Sequence, residues 1–212
     1  MSTNTSECIL LIFNCKKYRH KALRQKETWL KYVSNMPYFH VIGEPELDEE
    51  YKFDFVEKIL YVKTLDDYNS LPKKVIAAYF AINKAYKFKY IFKTDDDQKL
   101  NIIEFLETIR LILSKKDPRI HYGGNIVNVD KPYLSQYNRI HPELPSYLPV
   151  LTTRYCSGRF YILSNLAIEQ LLTKRELIEL EYLEDYAIGF HLNDEFKTNM
   201  LPIKTDIYFV DF

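Results

Sequence analysis

Glycine is scarce in this chain of 212 residues, which contains only five glycines. No G-x-G-x-x-G follows the first apolar run and no G-x-x-x-x-G-K-[ST] occurs, so the usual backbone loops that hold a diphosphate are absent. The absence of G-x-S-x-G likewise excludes the nucleophile elbow of serine hydrolases. If the protein binds a nucleotide, another positive group must neutralise the phosphates, and a divalent metal held by carboxylates is the obvious substitute.

An excess of charge and a long hydrophobic run are also lacking. Lys and Arg total 29, as do Asp and Glu, so the formal net charge is zero, which argues against a general nucleic-acid binder. The first apolar run, residues 9–13, is too short for a signal sequence or a membrane span, and no later run reaches 18 residues. We therefore expect a soluble, cytoplasmic protein. The cysteines show no metal-type spacing and are predicted to be reduced, apolar thiols: Cys8, Cys15 and Cys156.

A hydrophobic content of 47% predicts one compact domain over residues 1–212. Strand-like and helix-like segments alternate, which predicts an α/β fold with a mostly parallel central sheet flanked by helices. The later part is less regular and predicts a smaller antiparallel addition in the C-terminal half. Residues 130–155, with four prolines, predict a long surface excursion of the kind that often forms a lid or binding loop. The predicted strands are residues 8–13, 38–43, 58–63, 88–93, 120–129, 159–164 and 203–212, and the predicted helices are residues 18–33, 71–86, 101–114, 165–177 and 182–193.

Three adjacent carboxylates, Asp95, Asp96 and Asp97, follow the fourth predicted strand. Ligands collect at the carboxyl ends of strands in open α/β sheets. Asp95 and Asp97 can point the same way in extended backbone, and two hard oxygen ligands suit magnesium or manganese bound together with phosphates and water. Lys93 and Thr94 would add a cation and a hydroxyl nearby. The alternative is an acidic turn whose charges are stabilised by the positive end of the following helix.

A second acidic pair, Glu184 and Asp185, lies in the last predicted helix among apolar neighbours. The apolar setting favours a position facing a cleft, where a carboxylate can act as a general base on a hydroxyl group. A solvated helix face is the alternative.

Five segments, taken in order, resemble motifs of the β-1,3-galactosyltransferase and Fringe-like glycosyltransferases. Together they run in register over most of the chain, from about residue 9 to residue 193. The short form without an anchor is similar to the glycosyltransferase domains encoded by large algal DNA viruses of the chlorella type. The segments are RQKETW (24–29), DDYNSLPKK (66–74), KTDDD (93–97), RYCSGRFYILS (154–164) and LEDYAIG (183–189).

The resemblance implies a GT-A fold, a UDP-sugar donor, a manganese or magnesium ion, and inversion at the anomeric carbon of the transferred hexose or deoxyhexose. It also implies a division of the single domain into two halves. Residues 1–100 would bind the nucleotide and end in the D-x-D motif, whereas residues 101–212 would bind a glycan acceptor.

The resemblance assigns roles to individual residues. Asp95 and Asp97 fall on the metal-binding D-x-D, with Asp97 the stronger ligand and Asp95 or Asp96 nearer the ribose or donor sugar. Asp185 falls on the catalytic base of the family. The predicted donor-binding set is completed by Phe13, Asn14, Arg19, Arg24, Lys73, Thr94, Ser157 and Gly158.

The sequence departs from the family pattern at two functional positions. Pro72 offsets the lysine motif near the predicted diphosphate site, so Lys73 and Lys74 are both open candidates. The family has a late histidine as a further metal ligand, and His191 is the candidate here, although it follows Asp185 at a closer spacing than expected. A surface histidine is the alternative reading of His191.

Two other function classes stay open at this stage. A metal-dependent nucleotide-sugar phosphohydrolase or nucleotidyltransferase would also use D-x-D carboxylates, and it would cleave or form the diphosphate without a sugar acceptor. A non-catalytic module that binds sugar nucleotides would show affinity without release of UDP. The sequence identifies neither the donor sugar nor the acceptor.

Overall fold

The central feature of the computed structural model, which describes residues 4–33 and 35–212, is a mixed sheet of eight strands. In spatial order the strands are β8-β6-β7-β5-β1-β2-β4-β3. The strands are β1 (Cys8–Phe13), β2 (Tyr38–Gly43), β3 (Tyr51–Asp54), β4 (Ile59–Val62), β5 (Tyr90–Asp95), β6 (Tyr122–Val129), β7 (Thr153–Ser164) and β8 (Leu201–Pro202).

Strand β1 lies in the middle of the sheet and is buried on both faces. It pairs in parallel with β5 and β2, and β2 pairs in parallel with β4. Its alternate side chains enter two separate hydrophobic clusters, one containing Ile9 and Leu11 and the other containing Leu10 and Ile12. The continuous apolar run CILLIF therefore reflects helices on both sides of a parallel sheet.

Helices of eight or more residues cover both faces of the sheet. Helices α2, α4 and α5 contribute side chains to the cluster that contains Leu11, whereas α3 and the segment after α1 contribute to the cluster that contains Leu10. These helices are α1 (Arg19–Glu27), α2 (Leu71–Ala85), α3 (Glu104–Lys115), α4 (Asn165–Leu172) and α5 (Glu184–His191). Shorter helical turns are Lys16–Tyr18, Leu30–Tyr32, Tyr137–Arg139, Arg175–Ile178, Asp194–Lys197 and Thr205–Tyr208.

The antiparallel part of the sheet is built around β7, which pairs with β5 on one side and with β6 on the other. This arrangement confirms the predicted α/β class with an antiparallel addition in the C-terminal half. Antiparallel β3, at the opposite edge, was not predicted. In the part of the chain that the structure describes, three short strand pairs lie outside the main sheet: Asn4–Thr5 with Tyr86–Lys87, Gln98–Leu100 with Phe209–Asp211, and Tyr133–Leu134 with Pro149–Val150.

Several predicted boundaries are wrong for identifiable reasons. The helix predicted over residues 18–33 ends at Glu27, because Thr28 leaves helical geometry and Trp29 turns into the core, where it is 2% exposed. Strand β7 begins at Thr153 rather than residue 159, since an irregularity between Cys156 and Tyr161 interrupts its pairing with β6 and hides the strand period. The tail, predicted as one strand over residues 203–212, contains the helical turn Thr205–Tyr208 before the strand Phe209–Asp211.

The excursion between β6 and β7, residues 130–152, is termed here the strap. Its ends are joined by the pair Tyr133–Leu134 and Pro149–Val150. Its middle contacts the loop before α2, where the rings of Tyr68 and His141 stack with centroids 3.9 Å apart and Asn69 donates a hydrogen bond to the carbonyl of Glu143. The strap, in the second half of the chain, therefore contacts the loop before α2, in the first half.

None of the helices in the described residues is long and apolar enough to cross a membrane.

Helix α5 packs against β7 at unusually short range, and Gly189 permits this contact. A Cβ atom on Gly189 would lie 2.7 Å from the Cα of Tyr155 and 2.9 Å from the carbonyl oxygen of Arg154. Backbone atoms cannot give way as the end of a flexible side chain can, so any larger residue must displace the helix.

We expect Gly189→Ala to lower the free energy of unfolding by about 1–3 kcal/mol, because the added methyl group overpacks the contact between α5 and β7. Chemical denaturation measures this change. Gly158→Ala is the matched control, since its Cβ would meet no atom closer than 3.4 Å. Equal stability of the two variants would contradict the close-packing account.

Candidate functional site

The candidate site lies where the carboxyl ends of β1, β2 and β5 meet. Phe13, at the end of β1, pairs with Asp95, at the end of β5. Asp66 joins the loops that follow these strands, because its carboxylate accepts hydrogen bonds from the backbone amides of Lys16, at 2.6 Å, and Gly43, at 2.8 Å. This is the edge at which open α/β sheets bind ligands.

Asn14 connects this edge to the acidic turn. Its side-chain nitrogen donates a hydrogen bond of 2.7 Å to Asp96, and its backbone carbonyl oxygen accepts one of 2.9 Å from Lys74. Its side-chain oxygen is buried and has no hydrogen-bond partner among the described residues. A buried polar atom without a partner is costly, so this oxygen is suited to accept a hydrogen bond from a bound molecule.

The three aspartates of the turn that follows β5, termed here the aspartate turn, have different environments. Asp95 is partly buried and forms an ion pair of 2.7 Å with Lys93, and burial raises the pKa of Asp95 although the lysine opposes this effect. Asp96 is buried against Asn14, and burial raises the pKa of Asp96 to about 6 although Lys21 opposes it. Asp97 is exposed and accepts a hydrogen bond from Gln98.

Two residues that the sequence did not single out hold the aspartate turn in place. The side-chain amide of Gln25, on α1, donates to the carbonyl oxygens of Asp95, at 3.1 Å, and Gln98, at 2.8 Å. The other end of Gln25 accepts a hydrogen bond from the buried ring of His40, on β2, at 3.0 Å. Gln25 lies inside the quoted segment RQKETW, but nothing in its residue type marked it apart from the flanking charged residues.

Lys93 joins the aspartate turn to the second acidic pair. Its ammonium group lies 2.7 Å from Asp95, 3.2 Å from Glu184 and 2.7 Å from the carbonyl oxygen of Gly158, although its side chain is only 1% exposed. Burial opposes its charged form, but the two carboxylates dominate and raise the pKa of Lys93. Residues of three separate motifs therefore meet at one buried cation.

Asp185 lies at the start of α5, beside this junction. Its carboxylate accepts hydrogen bonds from the backbone amides of Gly158, at 3.1 Å, and Tyr186, at 2.8 Å. Burial raises the pKa of Asp185 despite these hydrogen bonds and the nearby lysine. Burial also raises the pKa values of Tyr68 and Tyr155, and the charge of Asp185 adds to both shifts, so the two rings lie within electrostatic reach of this carboxylate.

The carboxylates fit a divalent metal only in part. Asp95 and Asp97 offer oxygen ligands, but residues 4–33 and 35–212 contain no group of three or more His, Cys, Asp or Glu residues that could hold a metal ion. Such a donor set suits magnesium or manganese that takes its remaining ligands from diphosphate oxygens and water.

His191 does not join the predicted metal ligands in this structure. It is the last residue of α5, and its ring contacts Glu181 at 3.0 Å. The helix places it about 10 Å beyond Glu184, because seven residues advance an α-helix by 1.5 Å each. The short spacing after Asp185, which keeps His191 on the same helix, explains the separation.

The other predicted donor-binding residues have varied positions. Thr94 is buried and donates a hydrogen bond to the carbonyl of Arg159, which ties β5 to β7. The guanidinium of Arg24 lies 4.4 Å from the ring centroid of Phe212, whose amide bonds to the carbonyl of Asp97. Arg19 and Lys73 are exposed at the starts of α1 and α2, and Ser157 is partly buried beside Gly158.

Of the two lysine candidates, Lys74 is buried and pairs with Asp66 at 2.7 Å, which leaves Lys73 as the accessible one.

Comparison with known proteins identifies the family of the chain. The family model described as Galactosyltransferase matches residues 16–197, which include the aspartate turn, Gly158 and Asp185. The chain therefore belongs to the galactosyltransferase family.

Individual relatives match at low identity. The human UDP-GalNAc:beta-1,3-N-acetylgalactosaminyltransferase 1 is 26% identical over 148 residues, which are 69% of this chain and 44% of the human protein. The rat protein of the same name is 24% identical over 147 residues, with the same coverage. The chain thus matches less than half the length of these curated relatives.

A solved structure supports the fold. The crystal structure of a glycosyltransferase involved in the glycosylation of the major capsid of PBCV-1 superposes with a TM-score of 0.50 and 11% identity, and the match covers 93% of this chain and 82% of that chain. This likeness shows the fold alone, and it confirms the GT-A-like architecture that the sequence motifs imply.

The contact between His40 and Gln25 predicts how stability depends on pH. Burial lowers the pKa of His40 to about 3, so between pH 3 and 6.5 the unfolded chain binds a proton there that the folded chain does not. The stability that depends on the neutral ring of His40 is thus fully present above pH 6.5. It is lost as the pH falls, and the free energy of unfolding decreases by up to about 1.4 kcal/mol per pH unit. We expect His40→Gln to flatten the pH dependence of the unfolding free energy between pH 4 and 6.5. An unchanged slope would show that His40 is not buried in its neutral form.

Proposed function

We propose that the protein is a metal-dependent, inverting glycosyltransferase that moves a sugar from a UDP-sugar to a hydroxyl group of a glycan acceptor. The observation that carries this proposal is the junction at Lys93, whose buried ammonium group contacts Asp95 of the aspartate turn and the carbonyl oxygen of Gly158, while the amide of Gly158 donates a hydrogen bond to Asp185 of α5. The candidate donor-binding turn and the candidate base are therefore linked through Lys93 and Gly158.

The donor would lie along the carboxyl ends of β1 and β5. Asn14 offers its unpartnered buried oxygen beside Asp96, which suits recognition of the donor nucleoside by hydrogen bonds. Exposed Lys73, in the first turn of α2, adds a positive charge for the diphosphate. Asp95 and Asp97 would hold a magnesium or manganese ion. When bound, the ion supplies Lewis-acid stabilisation of the negative charge that develops on departing UDP.

Asp185 would act as the base in a single displacement. The acceptor oxygen forms a bond to the anomeric carbon as the bond from that carbon to the diphosphate oxygen breaks, and the hydroxyl proton passes to the carboxylate of Asp185. The electron pair of the broken bond leaves with UDP, and attack from the opposite side inverts the anomeric centre. Burial raises the pKa of Asp185, which makes it a stronger base than an exposed aspartate.

The acceptor would enter between α5 and the strap. Tyr68 and Tyr155 are partly buried, and the charge of Asp185 contributes to the pKa shifts of both. Tyrosine combines an apolar ring face with a polar tip, which suits the mixed surface of a sugar.

The identity of the donor sugar follows only by analogy. The matched human protein is named for transfer from UDP-GalNAc, so N-acetylgalactosamine joins the hexoses and deoxyhexoses as a donor to be screened. The Fringe-like type, the viral origin and the cytoplasmic location stay predictions of the sequence.

We expect Asp97→Ala to abolish manganese-dependent turnover of the UDP-sugar while the unfolding midpoint stays near the wild-type value, because Asp97 is exposed and acts on the bound metal. Donor screening by UDP release, with and without EDTA, measures this effect. Asp117→Ala removes another exposed carboxylate, which lies before the start of β6 at the opposite edge of the sheet, and should keep full turnover. Retained turnover in Asp97→Ala would remove Asp97 from the metal site.

For Asp185→Asn we expect donor binding within about threefold of wild type and a loss of kcat of at least about 100-fold, since removal of a general base has effects of this order. The amide oxygen of the asparagine can still accept the hydrogen bond from Gly158, whereas its NH2 group cannot accept the one from Tyr186, so the unfolding midpoint is measured alongside. Calorimetric titration of UDP with manganese, alongside transfer assays, separates the two quantities. Loss of donor binding instead would give Asp185 a role on the donor side.

A further inference from the structure

Glu184 is not a solvated neighbour of the candidate base. Its side chain is 4% exposed, and it lies on the face of α5 that points into the protein. Tyr161 donates a short hydrogen bond to one oxygen of Glu184, and the other oxygen lies 3.2 Å from Lys93. Tyr161 is in turn hydrogen-bonded to Tyr79, on α2, at 2.7 Å. None of these contacts belongs to the steps assigned to Asp185.

Lys93 connects Glu184 with Asp95, on the proposed donor side, and through Gly158 with Asp185, on the proposed acceptor side. The ammonium group binds Asp95 on one side and the carbonyl oxygen of Gly158 on another, both at 2.7 Å. The amide of the same glycine donates to Asp185. Asp95 and Glu184 therefore share the buried ammonium group of Lys93. Without Glu184, the ammonium group would keep Asp95 as its one direct ion-pair partner among the described residues and would lose the contact that draws it toward α5.

Stability alone gives a weak reason for this arrangement. Each buried charge carries a desolvation penalty, and replacement of a buried ion pair by apolar residues of similar volume is often neutral or stabilising. A side chain of methionine or leucine type would fill the same space between β5 and α5. The cluster costs free energy to bury, and what it provides is a fixed geometry.

We propose that Glu184 is a positioning residue that acts through Lys93 to fix the separation between Asp95 on the donor side and Asp185 on the acceptor side. This inference rests on the proposed glycosyl transfer and adds to it a residue that touches neither substrate. Because transfer between two bound groups is sensitive to displacements of about 1 Å, release of Lys93 should slow the transfer step more than it weakens donor binding.

The decisive experiment compares Glu184→Gln with Tyr79→Phe in the full chain. Both variants alter the same buried cluster, but Tyr79→Phe leaves the contacts of Glu184 with Tyr161 and Lys93 intact. We expect Glu184→Gln to lower kcat by about 10- to 100-fold with a donor KM within about threefold, as expected for misplacement of reacting groups. Tyr79→Phe should lower the thermal midpoint while its kcat stays within about threefold of wild type.

Two results would overturn the proposal: a wild-type kcat in Glu184→Gln, or an equal loss of kcat in Tyr79→Phe, which would indicate a general packing effect. Lys93→Met and the double variant Lys93→Met/Glu184→Gln complete the test. If Glu184 acts through Lys93, the double variant should be no slower than Lys93→Met. Additive losses would contradict this route.

A structural measurement separates failure of the inference from failure of the proposed function. Hydrogen exchange at the amide of Gly158 reports its bond to Asp185 without any substrate. Exchange should accelerate in Glu184→Gln and stay slow in Tyr79→Phe. If the wild-type protein transfers no sugar, the proposed function fails, yet this exchange result still supports or overturns the positioning role of Glu184.

Discussion

The buried ammonium group of Lys93 is the interaction on which the rest of the site depends. It lies between two acidic elements, the aspartate turn and the start of α5, which would repel each other without it. An isolated buried charge would be prohibitively costly, so the lysine can lie there only because both carboxylates surround it. The same cation contacts Asp95 directly and is connected to Asp185 through Gly158.

Packing supplies the second constraint. Gly189 lets α5 approach β7, Gly158 accepts a hydrogen bond from Lys93, and Gln25 donates hydrogen bonds to the backbone of the aspartate turn and Gln98. In each case a small or polar residue inside an apolar framework sets a distance. The parallel core around β1 provides one side of the candidate site, and the antiparallel strand β7 brings Gly158 to it beside β5. This combination explains how motifs far apart in the chain meet at Lys93.

The sequence predicted the central sheet and the aspartate turn well, because apolar periodicity and carboxylates after a strand are local signals. Strands β1 and β2 match their predicted bounds. The network could not be predicted, since Lys93 and Glu184 are 91 residues apart and neither type suggests a buried partner. Gln25 and His40 were missed for the same reason. The structure distinguished Lys73 from Lys74 by burial, which depends on tertiary packing that spacing alone does not encode. His191 ends α5 and contacts Glu181, as its short spacing after Asp185 allows.

Sugar transfer across the junction at Lys93 is the central claim, and the stereochemistry of the product tests it most directly. The protein would be incubated with UDP-sugars of α configuration, manganese and a panel of glycan acceptors, and the anomeric linkage of any product would be assigned by NMR. The account predicts a β-linked product, formed together with UDP and abolished by EDTA. An α-linked product, or release of UDP and free sugar without transfer under any acceptor, would contradict it.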